Sequence, residues 1–205
     1  MSTRKPLMVP IKRPKVIAVE GKEDRKLFDA FIRNLHLRNI QVVAMGGRHP
    51  LTKRIESVKN TPGFSQVTSF GVVIDADRNY QAAFQSLCAA LRNINLAVPT
   101  SELTKVGNSP SVVLMVLPKR GRCGTLEDLC LNAVRSDPAI PCVNRYFACL
   151  SRKGINTRNI SKAKIRAFLS SRPKADLTIG DAAYAGYWPF LDSTFDDVRR
   201  LLQMM

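Results

Sequence analysis

Histidine is nearly missing from this 205-residue chain, with only His36 and His49 present. That scarcity nearly excludes histidine-dependent nuclease chemistry. It also argues against zinc, because no Cys-x-x-Cys pair occurs. The five cysteines (Cys88, Cys123, Cys130, Cys142, Cys149) are odd in number, and free thiols in a reducing cytoplasm are the simplest account of them. No apolar run reaches membrane-spanning length and the amino terminus shows no signal-peptide core, so a cytoplasmic protein with no membrane contact is expected. The pattern Gly-x-x-x-x-Gly-Lys-Ser/Thr is absent, so the chain carries no P-loop ATPase of its own. Neither an internal repeat nor a low-complexity tract is evident.

Acid is also scarce relative to base. Sixteen Asp and Glu face 32 Lys and Arg, for a net charge of +16 and a pI near 10.2. An excess of this size points to a polyanionic partner, most often nucleic acid. The distribution sharpens the point: from Arg145 to Lys174 there are nine basic residues and no acid. Hydrophobic residues at 45% describe an ordinary core. The length suits one sizeable domain, or one domain with a small appendage.

Read in order, residues 1–14 form a basic, proline-rich arm. Lys15 to Val19 then read as a strand ending at Glu20-Gly21, where glycine permits a sharp turn close to a ligand. A helix carries Leu27, Phe28, Phe31, Ile32 and Leu35 on one face. A second strand, Ile40 to Met45, stops at Gly46-Gly47-Arg48, and a short basic helix spans Leu51 to Lys59. The continuous apolar run Gly71 to Ile74 suits a central strand buried on both faces. A helix near Gln81–Arg92 follows. Residues 103–117 read as two strands joined at Gly107-Asn108-Ser109-Pro110, ending at the basic, glycine-rich loop Pro118 to Gly124. Thr125 opens the next helix. Strand and helix alternate through residue 136, so the fold class is α/β, with a parallel sheet of about four strands covered on both faces. Residues 15–136 form this core, and 137–205 add helices near 139–150, 161–170 and 195–203. Tyr187 and Trp188 read as anchors of the terminal segment rather than as base-stacking platforms.

The chemistry concentrates at strand ends. Side chains alternate along a strand, so Asp75 and Asp77 are expected on one side at its carboxyl end, where open α/β sheets place ligands. Glu20 and Glu127 fall at equivalent ends or in the loops just after them, and Asp24 lies one helical turn beyond Glu20. Such oxygen clusters bind hard cations, Mg²⁺ or Mn²⁺ above all, which neutralise phosphate oxygens and activate water for in-line displacement. Each acid also has a structural account. Glu20 reads as an exposed strand-end carboxylate and Asp24 as a helix-dipole acid. Thr125 with Asp128 makes a capping box that leaves Glu127 solvated.

Val19-Glu20-Gly21, Asp75-Ala-Asp77 and Leu126-Glu127-Asp128, taken together, resemble a Toprim domain, the magnesium-binding module of topoisomerases, primases, recombination mediators and small ribonucleases. Glu20-Gly-x-x-Asp24 and the late glutamate are most similar to the nuclease branch typified by the overcoming-lysogenization-defect (OLD) proteins. The segment Ala182 to Leu202 is similar to stand-alone Toprim-like proteins. The resemblance implies a Rossmann-like core and a metal-dependent nuclease that nicks or cleaves DNA or RNA. In it Asp75, Asp77 and Glu127 hold the metal, while Glu20 serves as ligand or general acid/base. A lysine on a late helix supports catalysis, with Lys162 the best match and Lys164 the alternative. No tyrosine reads as a strand-passage nucleophile.

Phosphate contacts are expected from Lys119, Arg120 and Arg122 in the glycine-rich loop, from Arg48, Lys53 and Arg54 after the second strand, and from Lys164. The alternatives are an accessory nucleic-acid-binding protein with a silent site, acting with a partner ATPase or recombination complex, and metal-dependent transfer on a nucleotide or sugar nucleotide. Oligomeric state, and DNA against RNA, are left open by the sequence.

Overall fold

The structure is a computed structural model describing residues 9–46 and 48–205. Arg4 and Lys5 of the basic arm, and Gly47 after the second strand, lie outside the described residues. Four parallel strands, β1 (Lys15–Val19), β2 (Ile40–Ala44), β3 (Ser69–Asp75) and β4 (Ser111–Leu117), form one sheet in the order β2-β1-β3-β4. The helices are α1 (Lys22–Asn34), α2 (Leu51–Lys59), α3 (Tyr80–Asn93), α4 (Leu126–Ala133), α5 (Ala139–Arg152), α6 (Ile160–Ser170), α7 (Ile179–Tyr184) and α8 (Asp196–Met204). The expected α/β architecture is present, with a helical carboxyl-terminal portion.

Period-two alternation divides the core between the two faces of the sheet. Ile17, Val19, Val73, Val113 and Met115 pack with α1, α4 and α6–α8 on one face. Val16, Ala18, Phe70, Val72, Leu114 and Val116 pack with α2 and α3 on the other. Every residue of β4 is buried, and β3 is buried up to Ile74, as doubly covered strands require. The carboxyl-terminal helices share the first face's core: Trp188 is buried and stacks on Phe168 with ring centroids 5.9 Å apart. Its Nε1 donates to the Ile179 carbonyl at 2.9 Å. Helix α7 lies against α1 so closely that a Cβ on Gly180 would stand 2.3 Å from the Lys26 Cβ. Near the start of the described chain, Ile11 is buried and its amide donates to the Pro62 carbonyl at 2.9 Å.

Two expectations need correction. Residues 103–106 do not form a strand. They follow the free edge of β4 through a single antiparallel bridge, Val106 to Val112, and a bond from the Leu103 amide to the Leu114 carbonyl. Glu102 completes this cover: its buried carboxylate accepts from the Val116 amide of β4 and from the Tyr80 hydroxyl. A carboxylate and an irregular segment thus satisfy an edge that a regular strand would otherwise fill. The second correction is helix α7, which the apolar pattern did not reveal. At six residues it is too short to show a helical period. No helix among the described residues is long and apolar enough to cross a membrane.

Candidate metal centre at the carboxyl edge of the sheet

Parallel register brings the ends of β1 and β3 together, and the loop after β4 delivers α4 to the same edge. Glu20 follows the last residue of β1. Its Oε2 accepts from the Asp75 amide over a long 3.4 Å. Asp75 is the last residue of β3, aligned with Leu117 of β4. Its Oδ1 accepts from the Leu126 amide at 3.0 Å. That amide opens α4 and is one of the donors a helix leaves unpaired at its first turn. Glu127, the next residue, is half-buried. Three segments distant in sequence therefore meet through hydrogen bonds at Asp75.

Asp24 is buried and accepts from the Gly21 amide at 3.0 Å. Gly21 has an extended φ of −123°, so the expected need for a special backbone turn does not arise there. A Cβ at this position would instead stand 3.0 Å from the Asp24 Oδ2. Asp77 is exposed. Because β3 ends at Asp75, strand alternation does not extend to Asp77, whose φ is +49°. Its amide donates to the Gly124 carbonyl and its carbonyl accepts from the Gly124 amide, both at 2.8 Å. Gly124, with φ +135°, is needed here on two counts. A side chain would be strained, and its Cβ would come within 2.8 Å of the Asp128 Oδ2.

The electrostatics follow from this crowding. Burial, then the carboxylates of Asp24, Glu20, Glu127 and Asp77, push the Asp75 carboxyl up to about 9. Burial raises Asp24 to about 6 against the bonds from its own amide and that of Gly21, with Glu20 and Glu127 adding to the rise. Asp75 is therefore a neutral acid at pH 7. The donors are all hard oxygens, which suits Mg²⁺ or Mn²⁺. Among the described residues no three acidic, histidine or cysteine side chains converge as a ready cation cage.

One reason lies in Arg54. Its Nη2 donates to the Glu20 Oε1 at 2.8 Å, with the two side chains 16% and 28% exposed. Its Nε is buried and finds no partner among the described residues. Arg54 thus stands inside the acidic edge as a counter-ion rather than on an open phosphate-binding surface.

The remaining predicted residues are dispersed. Arg48 is exposed, and Lys53 is exposed but pairs with Glu56 at 3.0 Å. Lys119, Arg120 and Arg122 are exposed in the loop between β4 and α4. Arg120 lines a cleft of about 270 Å³ with Tyr80 and Glu102. There burial, the hydrogen bond to Glu102 and the Glu102 charge push the Tyr80 hydroxyl up to about 12.

Lys162 is exposed on the first turn of α6. That turn is fastened to the site by a contact the sequence did not disclose: the Ser161 hydroxyl donates to the Asp128 Oδ1 at 2.6 Å. Asp128 Oδ2 meanwhile accepts from the Thr125 amide at 2.8 Å and hydroxyl at 3.1 Å, closing the expected capping box. Lys164 faces a different groove, beside Phe147 and Ile160.

The family described as "Protein of unknown function (DUF3226)" matches residues 14–205. The chain is a DUF3226 protein. Solved structures share this fold at low identity. A hypothetical protein from Pyrococcus horikoshii OT3 superposes with a TM-score of 0.60 at 16% identity, covering 94% of this chain and 95% of that one. The C-terminal region of the Xanthomonas campestris pv. campestris OLD protein gives 0.50 at 15% identity, with 93% of each chain covered. The corresponding region of the Burkholderia pseudomallei OLD protein gives 0.50 at 16% identity, covering 94% of this chain and 96% of that one. No curated protein matches the sequence. The DUF3226 chain therefore has an OLD-related fold, spanned over nearly its whole length.

Proposed function

We propose that this protein is a metal-dependent nucleic-acid phosphodiesterase of Toprim type, acting at the carboxyl edge of its sheet. The observation that carries the reading is the junction at Asp75, where Glu20, the end of β3 and the first turn of α4 meet through hydrogen bonds. In this reading Asp75, Glu20 and Glu127 hold the cation, with Asp24 and Asp77 supplying further negative charge. Bound Mg²⁺ or Mn²⁺ would neutralise a phosphate oxygen and activate a water for in-line attack.

The chain's own residues set the conditions for that chemistry. Asp75 would hold the cation as a carboxylate, and the Leu126 amide, which donates to its Oδ1, orients the group for that role. Glu20, paired with Arg54 in this structure, would be a ligand for the cation, and the Arg54 guanidinium beside it would be available to a non-bridging phosphate oxygen. Lys162, on the turn fastened by Ser161, stabilises charge on the phosphate. The net charge of +16 favours a polymer over a mononucleotide.

A second reading has its own support. The Glu20–Arg54 pair, and the lack of a ready cage among the described residues, suit an accessory nucleic-acid-binding protein whose site is silent and whose activity comes from a partner ATPase. One assay separates the two: incubation with circular DNA, linear DNA and structured RNA, with Mg²⁺, Mn²⁺ or chelator. Metal-dependent cleavage lost in Asp75→Asn supports the enzyme. Binding without cleavage under every condition supports the accessory role.

A further inference from the structure

The cleft beside the covered edge of β4 is built from three separate segments. Helix α3 contributes Tyr80 and Phe84, one turn apart and so on one face, with Gln81 beside them. The segment leading to residues 103–106 contributes Thr100 and Glu102, and the loop after β4 contributes Arg120 and Gly121. Both rings stay part-exposed, although the Tyr80 hydroxyl donates to Glu102. That hydroxyl also feels the loop. Against the burial and the Glu102 contacts that raise it, the Arg120 charge and the Gly121 amide pull it down. Rings, cation and amide therefore line one cleft, of about 270 Å³.

The chemistry of the walls identifies an occupant. Glu102, the acid among the lining residues, is 6% exposed and bonded to the Val116 amide and the Tyr80 hydroxyl. The accessible charge is therefore the exposed Arg120 guanidinium, which suits a phosphate. Gln81 and Thr100 are exposed as well. An amide or a hydroxyl both donates and accepts, so these two side chains can meet any base edge. An aromatic wall accepts an unstacked base, whereas a duplex keeps its bases stacked and withholds them. We propose that this cleft holds one unpaired nucleotide of a single strand, with its base against Tyr80 and Phe84 and its phosphate on Arg120.

Its position gives the cleft a purpose. The loop that supplies Arg120 and Gly121 is tied at Gly124 to Asp77 by the paired bonds of 2.8 Å. Tyr80 opens α3 only three residues beyond Asp77, at most about 11 Å of chain. A strand leaving the cleft along this loop arrives at the acidic edge. The exposed Lys119 and Arg122 flank Arg120 and offer further phosphates a place, which favours a strand over a mononucleotide. Delivery to the edge rests on the phosphodiesterase reading, whereas binding in the cleft does not.

The test is fluorescence anisotropy in chelator over a salt series, using labelled oligothymidylate, an abasic strand of equal length and a hairpin duplex. Wild type is expected to prefer oligothymidylate to the duplex, and to the abasic strand by roughly 5- to 150-fold with an unchanged salt slope. Tyr80→Leu should abolish the preference over the abasic strand and Tyr80→Phe should keep it. Both variants lose the bond to Glu102, so the pair isolates the ring. Arg120→Gln should flatten the log-affinity against log-salt slope by roughly 0.7. Circular dichroism and thermal melting establish that each variant is folded. Photo-cross-linking of wild type to an oligonucleotide carrying 5-iodouracil needs no variant, and should mark Tyr80 or Phe84 in peptide mass spectrometry. Cross-links confined to other peptides, or a folded Tyr80→Leu that keeps the preference, would overturn the cleft and leave the phosphodiesterase reading to its cleavage assay. Equal binding of the abasic strand by wild type would do the same. Thymidine monophosphate competing as well as the oligonucleotide would mark a mononucleotide site and overturn the strand. If wild type binds no polynucleotide, both readings fall.

Discussion

The sharpest consequence of the acidic edge is that Asp75 should make the metal-free protein less stable as pH rises. In the folded chain the carboxyl keeps its proton up to about pH 9. In the unfolded chain it loses that proton near pH 4. Between those values the unfolded state binds fewer protons, so stability falls with pH, and it levels off on either side. At pH 7 about three pH units, each worth about 1.4 kcal/mol, separate the solution from the free carboxyl's range. Holding the proton therefore costs about 4 kcal/mol. Asp24, raised to about 6, adds a smaller loss of the same sign between about pH 4 and 6.

Asp75→Asn keeps a neutral, similarly shaped group and an oxygen for the Leu126 amide while removing the ionisation. In chelator at pH 7 it should be more stable than wild type by up to about 4 kcal/mol. That corresponds to roughly 8–16 °C in Tm for a chain of this size. The difference should grow by about 1.4 kcal/mol per pH unit and nearly vanish at pH 4. Urea melts of both proteins at several pH values measure it, and comparing the pair cancels every other titrating group. Added Mn²⁺ should narrow or reverse the order, because wild type alone gains from binding, by about 2.7 kcal/mol at a hundredfold excess over Kd. A difference independent of pH, or an Asn variant less stable than wild type at pH 7, would show that Asp75 is ionised and structural.

Gly124→Ala should cost about 1–3 kcal/mol in urea denaturation, through strained φ and pressure on Asp128. Ser161→Ala removes a donor from a carboxylate and should cost about 1–3 kcal/mol, with faster hydrogen exchange confined to the first turn of α6. Neutralising Lys119, Arg120 and Arg122 should weaken nucleic-acid binding across sequences and lower the salt slope by up to about two or three units. An equal effect from a control triple at Arg4, Lys5 and Lys12 would show that the loop has no special role.

Much of the frame was legible because buried parallel strands write themselves plainly. The run Gly71 to Ile74 followed by Asp75 fixes both a central strand and its end, and Val19-Glu20 does the same for β1. Convergence of these ends follows from parallel topology alone. What stayed hidden depends on side chains meeting across crossovers. Arg54 reads as a surface helix residue until α2 is folded back over the end of β1, and then its partner is an acid rather than a phosphate. Ser161 and Asp128 lie 33 residues apart, and no local pattern links them. Nothing in the sequence marks out Glu102, because it carries no sign that an edge strand's amide awaits that carboxylate. Residues 103–106 have strand-like composition, but they meet only a short stretch of β4 and form one bridge.

The ion pair between Arg54 and Glu20 has a thermodynamic corollary. A guanidinium and a divalent cation compete for the same carboxylate oxygen, yet both are drawn to a phosphate. A polynucleotide that engages Arg54 takes away the cation's competitor. By reciprocity, if substrate raises metal affinity by some factor, metal raises substrate affinity by the same factor. The edge would then operate as an interlock, largely unloaded in the free protein and filled when a backbone lies across it. A metal titration of the protein alone would report the locked affinity, and one performed with a non-cleavable oligonucleotide would report the working one.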